Sequence, residues 1–299
     1  MSAFALEAVI DELAAEAPAA VGRGRAALGR ALAWTATTCW GEVAWTFSDL
    51  AGGAPVELVW RPGRPGLFWT AEPAAPEWPT SRRLKRTLAL LRTLGPRLGP
   101  AEIGILRSLL QGSKAPWPIW LSGRHDAAGD AAKIYALTDR AAADPRLAPA
   151  AALRRDDDQP VMLGLSPDGG RELYWRRTAM RPEDRWSMAR DPCWAPLAAR
   201  LHSALVAWTG GGLDCEHRGR IGLSAKLSPA GEPEALAVFL RVRQVGSDEA
   251  VRARLMAAGG ETNPALGRLW AAGRLSPMFL TLAATREAVA PAIGLRVAA

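Results

Sequence analysis

Lysine and tyrosine are scarce in this chain. Its 299 residues hold four lysines against thirty-three arginines, and only two tyrosines, Tyr135 and Tyr174. Cysteine and histidine are as rare, three of each. Cys39, Cys193 and Cys215 lie far apart with no CxxC pair, and His125, His202 and His217 lack metal-ligand spacing. A disulfide framework and a zinc site are both excluded, which leaves inert thiols in a reducing cytoplasm. No apolar run approaches the roughly 18 residues that a membrane span needs. The opening "MSAFALEAVIDELAAEA" carries no basic n-region, against the pattern of a secretory signal. Neither GxxxxGK[ST] nor a strand-borne GxGxxG is present, so nucleotide binding through those loops is disfavoured. No DDxxD-type cluster could hold several metals, and "RRDDDQ" (154–159) reads as a solvated loop.

What is present is an ordinary globular balance, 49% apolar and 22% charged. The net charge of +7 and pI near 10.0 point to an anionic partner: nucleic acid, a membrane surface or a phosphorylated small molecule. The arginines are scattered along the chain and form no basic tail, which weakens the first two. Codon bias in a GC-rich genome accounts equally well for arginine over lysine. No helix-turn-helix, zinc finger or RNP-like motif supports a nucleic-acid-binding module.

Periodicity gives a recurring unit. "GEVAWTFS" (41–48) and "APVELVW" (54–60) predict a hairpin around "DLAGG", with "GLFWTAE" extending the sheet. Two helical stretches follow, "SRRLKRTLALLRTLG" and "AEIGILRSLLQG". A second hairpin joins "WPIWLSG" to "AAKIYALT" around "RHDAAGD", and a short helix is expected over 141–154. The third hairpin is "PVMLGLS" with "RELYWRR" around "PDGG". Helical segments over about 182–209 lead to the fourth, "RIGLSAKLS" with "EALAVFLRV". After "SDEAVRARLMAAGG" and "NPALGRLWAAG", a fifth hairpin joins "PMFLTLAA" to "AIGLRVA". Five strand pairs separated by helices predict an α/β fold over one domain, residues 1–299. Ten antiparallel strands would close into a barrel to remove their edges, with helices as the outer ring. A ten-stranded barrel is too wide for side chains to fill and can enclose a ligand.

The polar residues of those strands are the candidate site. Lys133 and Tyr135 share a strand face, as do Glu172, Tyr174 and Arg176, and Ser224 and Lys226. Arg241 and Arg243 lie on the returning strand, and Arg296 near the end of the last. Facing outward, they would be merely solvated. Facing inward, cations need an anion to neutralise them. A diphosphate suits them, clamped by Arg and Lys with tyrosine hydroxyls donating.

Five ββαα-like repeats with lysine, arginine and tyrosine on barrel strands resemble the ABBA prenyltransferases, which bind an isoprenoid diphosphate inside a barrel. "WLSGRHDAAGDAAKIYAL", "VMLGLSPDGGRELYWRR", "RIGLSAKLSP" and "SPMFLTLAATREAVAPAIGLRVA" are similar to successive hairpins of that family. The layout looks closest to the cyanobactin branch, whose acceptors are ribosomal peptides, with the branch acting on small aromatic, phenolic or indole metabolites as the alternative. The resemblance implies a diphosphate site of Lys133, Tyr135, Tyr174, Arg176, Lys226, Arg241, Arg61 and Arg296. It implies that Glu42, in "CWGEVAWTF", accepts the acceptor's proton, as a first-strand glutamate does in relatives. Trp45, Trp60, Trp120 and Trp175 become candidates for shielding a carbocation from water. Magnesium carried on the substrate diphosphate is the implied cofactor, with no metal site of the protein's own. The expected partners are dimethylallyl diphosphate or a longer homologue and a peptide, for a cytoplasmic monomer. Two departures stand out: "APVELVW" has no mid-strand basic residue before Arg61, and the last strand offers Arg296 where relatives carry lysine or tyrosine.

Overall fold

The computed structural model describes residues 3–36, 50, 53–95, 97–111, 118–178, 188, 190–209, 220–259 and 264–298. Ten strands are present: β1 Val56–Trp60, β2 Gly66–Ala71, β3 Ile119–Asp126, β4 Gly129–Leu137 and β5 Gln159–Leu165, then β6 Arg171–Arg177, β7 Ile221–Leu227, β8 Pro233–Arg241, β9 Leu275–Thr285 and β10 Val289–Val297. Each pairs antiparallel with its sequence neighbours. The ring is sealed by β1, whose Leu58 faces Trp69 of β2 on one side and Leu295 of β10 on the other. The expected ten-stranded closed barrel is present, and no strand edge is left open to water.

The first hairpin differs from the expectation. "APVELVW" supplies β1, but its partner is "GLFWTAE", while "GEVAWTFS" lies outside the described residues. The turn between β1 and β2 is "RPGRP", where Gly63 adopts φ +75° and Arg64 N donates to Arg61 O at 3.2 Å. Pro-Gly between two apolar runs is a stronger turn signal than the "DLAGG" chosen from sequence. The second hairpin also differs, because "RHDAAGD" is mostly strand. Only Ala127 and Ala128 turn, held by Ala128 N donating to Asp126 Oδ1 at 2.9 Å and by Gly129 at φ +126°.

The helices of eight residues or more are α1 Ala3–Ala14, α2 Pro18–Leu32, α3 Thr80–Thr93, α4 Pro100–Leu110, α5 Ala195–Thr209, α6 Asp248–Gly259 and α7 Pro264–Ala271, and a short helical turn, Val242–Val245, takes Arg243 out of the strand expected there. The helix expected over 141–154 breaks into short turns, since Pro145 and Pro149 remove backbone donors. In α1, buried Leu6, Val9, Ile10 and Leu13 form a single i, i+3, i+4, i+7 stripe. Among the described residues no helix is long and apolar enough to cross a membrane.

The helices pack on the barrel's outer face. There Leu58, Leu121, Ile134, Leu163, Leu223 and Leu282 are all buried, each contributing about 1.5–3 kcal/mol by leaving water. Close approach needs small residues. A Cβ on Gly24 of α2 would lie 2.9 Å from Leu67, and one on Gly123 would strike the Trp69 ring at 2.5 Å. One charge is sunk in this layer: Arg177 Nε and Nη2 donate to Asp158 at 2.9 and 2.5 Å, both side chains fully buried. Removing one member of such a pair strands the other. Asp158→Ala should therefore cost about 3–5 kcal/mol, read as a lowered urea midpoint. A near-wild-type midpoint would show that Arg177 finds other partners.

Candidate active site in the barrel lumen

Strand alternation sends every second residue inward, and several of these stay partly open to solvent. Val59, Thr70, Trp120, Tyr135, Met162 and Phe239 are only partly buried although each faces the inside of a closed ring. The barrel therefore holds a solvent-reachable lumen and is not plugged by side chains.

Lys133 lies in the lumen wall, 5% exposed. Its ammonium donates to Glu172 Oε2, and to Tyr174 Oη at 3.1 Å. Ser224 Oγ donates to the other oxygen of Glu172 at 2.5 Å. Tyr135 packs edge-on to Tyr174 with centroids 5.8 Å apart, and Phe239 lies 5.7 Å beyond. Lys133 Nζ sits 5.1 and 5.3 Å from the two tyrosine rings. Gly164 of β5 makes the bridge from β4 to β6 possible, because a Cβ there would lie 2.3 Å from Lys133 Cε. Burial acts to raise the Glu172 carboxyl, but the Lys133 charge and the hydrogen bonds from Lys133, Ser224 and Tyr174 outweigh it and hold it below its ordinary value. Burial pushes the Tyr174 phenol up, and the Glu172 charge adds to that.

A second group gathers near the β1–β2 and β3–β4 turns. Arg61 and Arg64 lie 5.4 and 5.9 Å from the Phe68 ring centroid, and Phe68 faces Arg124 in register. Arg64 is paired with Asp126. Asp126, paired with Arg64, is also the carboxylate whose charge acts on Arg61. Burial and then the charges of Arg124 and Arg64 bring the Arg61 pKa down to about 10, so it remains protonated at neutral pH. Its Nε is buried without a hydrogen-bond partner. An anion placed here would relieve that repulsion.

The opposite end of the lumen holds a carboxylate. Glu57 points inward from β1, and burial pushes its pKa up to about 7. Its carboxyl occupies the space over Gly294 of β10, where a Cβ would meet Oε1 at 2.6 Å. The structure's first barrel strand is thus the one carrying Glu57. Glu42, expected to fill that part, lies outside the described residues, as does Trp45.

The other expected site residues divide. Arg176, Arg241 and Arg296 share the inward register at the Glu57 end of their strands. Lys226 is inward but pairs with Glu234 at 2.6 Å near the opposite rim. Trp120 faces the lumen opposite Tyr135. Trp60 and Trp175 do not. Both are buried on the outer face, Trp60 edge-on to Trp270 of α7 at 6.2 Å. Alternation requires this, since Arg61 and Tyr174, their neighbours, point in. Sequence reasoning missed Arg64, Arg124 and Glu57. Arg124 was hidden by reading "RHDAAGD" as a loop, and the signal for Glu57 was an acid in the apolar run "VELVW".

A closed barrel of five antiparallel hairpins, ringed by helices and polar inside, is the PT barrel of the ABBA prenyltransferases. No protein-family model matches the chain, and no curated protein does. Solved structures do. The 5-dimethylallyl tryptophan synthase from Streptomyces coelicolor, in complex with DMASPP and Trp, is 19% identical over 96% of this chain and 92% of its own, with TM-score 0.70. The 6-dimethylallyltryptophan synthase from Micromonospora olivasterospora, also with DMASPP and Trp, is 18% identical over 99% and 97%, with TM-score 0.73. AnaPT from Neosartorya fischeri shares 12% identity over 84% and 80%, with TM-score 0.56. At these identities the likeness is one of fold.

Glu57 gives the fold a pH signature. Its folded pKa of about 7 lies above the ordinary 4.5, so the neutral acid is favoured on folding. The resulting stability is fully present below 4.5 and lost as pH rises through 7, a swing of up to about 3 kcal/mol. Denaturant titrations of wild type and Glu57→Gln across that window should differ in slope, the variant losing less stability at the upper end. Parallel curves would place the carboxyl in water.

Proposed function

We propose that the protein transfers a dimethylallyl group from its diphosphate to an electron-rich aromatic acceptor, with an indole as the first candidate. The observation that carries this is the polarity of the lumen. Arg61, buried with an unpartnered Nε, lies toward one end, and the proton-accepting Glu57 lies toward the other beside the inward Arg176, Arg241 and Arg296, with aromatic rings between. Glu57 and Arg61 are four residues apart on one chain segment, about 13 Å at strand rise, room for a short prenyl chain and an acceptor ring. Two of the structural neighbours were captured with DMASPP and Trp. That favours the indole acceptor over the ribosomal peptide expected from the hairpin layout.

In this reading Arg61, Arg124 and Lys133 receive the diphosphate, and the hydroxyls of Tyr135 and Tyr174 donate to it. The bond from the allylic carbon to the bridging oxygen breaks, and its electron pair leaves with pyrophosphate. Guanidiniums already in place stabilise the charge developing on the leaving group. The faces of Tyr135, Tyr174 and Phe239 stabilise the allylic cation and exclude water. The acceptor's ring electrons form the new carbon–carbon bond. Glu57 then takes the ring proton, a task suited to a carboxylate whose pKa is near neutrality.

Magnesium enters the proposal only as an ion carried on diphosphate oxygens. Among the described residues no cluster of three acidic, histidine or cysteine side chains could hold it, and Glu172 is engaged by Lys133 and Ser224. No step depends on it, so turnover should persist in EDTA.

Incubation with dimethylallyl diphosphate and L-tryptophan or simple indoles, followed by mass spectrometry, tests the reading. Addition of one dimethylallyl unit is expected. Arg124→Ala should lower the rate about 10²–10³-fold, the scale of one lost contact to developing charge. Glu57→Gln should impair transfer to the acceptor while leaving donor binding intact. A folded protein that prenylates no aromatic acceptor would refute the reading.

A further inference from the structure

The lumen contains an anion of its own making. Both oxygens of Glu172 are occupied, one by the Lys133 ammonium and the other by the Ser224 hydroxyl, and Tyr174 lies beside them. An ammonium, a serine hydroxyl and a phenol are donor types that hold phosphate oxygens. Two further features bear on this seat. Ser122, the register partner of Lys133, is 4% exposed, and its hydroxyl has no hydrogen-bond partner. A buried donor or acceptor in that state is costly unless something arrives to satisfy it. Glu172 also has a second cation available: Lys226 is directly across from it on β7, at present paired with the partly exposed Glu234.

We propose that Glu172 is an internal surrogate for the donor's diphosphate, filling the Lys133–Ser224–Tyr174 seat in the free protein and moving toward Lys226 when the diphosphate enters. The proposal rests on the prenyl-diphosphate reading above. Its logic is electrostatic. Lys133 is buried, and without a counter-ion it would destabilise the empty barrel. A diphosphate and a carboxylate held on the one ammonium repel each other, which favours the state in which Glu172 has moved away. Donor binding is then an exchange of one anion for another. After transfer, the returning carboxylate competes with pyrophosphate for the same donors and helps to release it. Glu172 is thus a positioning residue that sets how tightly the leaving group is held, and it never touches the reacting carbon.

Calorimetric titration with inorganic pyrophosphate, which needs no turnover, tests the exchange. Glu172→Gln should bind pyrophosphate about tenfold more tightly or better, the scale of one charge-assisted contact no longer contested. Adding Lys133→Met to that variant should abolish the gain, which ties the effect to the shared ammonium. If Glu172→Gln does not fold, Glu172→Asp, whose carboxylate is one methylene shorter, should shift affinity in the same direction. Where the wild type binds pyrophosphate, equal or weaker binding by the folded variant overturns the exchange and leaves the diphosphate reading standing. Absence of binding to wild type and variant alike overturns both.

Discussion

Ring closure through β1 is the constraint on which the rest of the molecule depends. Three residue pairs join β1 to β10, Leu58↔Leu295, Val59↔Gly294 and Trp60↔Ile293. With them in place the inner face of every strand looks at the inner faces of the others. A lysine on β4 meets a glutamate on β6 and, through it, a serine on β7. Those contacts run between near-neighbour strands over Gly164 of β5, and closure encloses them. Closure also fixes which apolar residues lie outside. The leucines of the outer face have only the helices to pack against, so the helical ring and the lumen are two sides of one alternation.

Both ends of the lumen carry cations, since Arg176, Arg241 and Arg296 face inward at the Glu57 end. Arg61, Arg64 and Arg124 gather at the end where the hairpins turn, and Glu57 stands toward the end where the helical connections enter. The middle is neutral overall, because Lys133 and Glu172 cancel. Burial sharpens both ends, lowering the Arg61 pKa and raising that of Glu57, since a low-dielectric wall disfavours each charged form.

Much of the fold could be read from alternation and turn chemistry. "PVMLGLS" and "RELYWRR" match β5 and β6 to within a residue, because Pro-Asp-Gly-Gly between them admits little but a turn. Alternation put Lys133 with Tyr135, and Tyr174 with Arg176, on shared faces but left open whether those faces look inward, a choice that only the resemblance to a diphosphate-binding barrel favoured. Parity was harder. Tyr174 and Trp175 are adjacent and cannot both face the lumen, nor can Trp60 and Arg61, yet the aromatic content of both pairs suggested a pocket. The pairing partner of β1 was misassigned because "DLAGG" was read as the turn, although "RPGRP" carries the stronger Pro-Gly signal. Long-range ion pairs such as Arg177 with Asp158 left no local trace, and neither did the contact of Lys133 with Glu172.

The inner wall also carries glycines at points where a neighbouring strand sends a large group across. Gly164 lies beneath Lys133, Gly222 beneath Phe239 and Gly294 beneath Glu57. In each case a single added carbon would meet the crossing side chain at 3.1 Å or less. These three positions are vacancies that the chemistry uses as floor space. Any attempt to retune the cavity by directed evolution is thereby channelled. Libraries that randomise the glycines will mostly displace the groups that give the lumen its polarity. Variation at Met162, which faces the same space and lies opposite Tyr174 instead of any of those three groups, can change its width while leaving the charges in place.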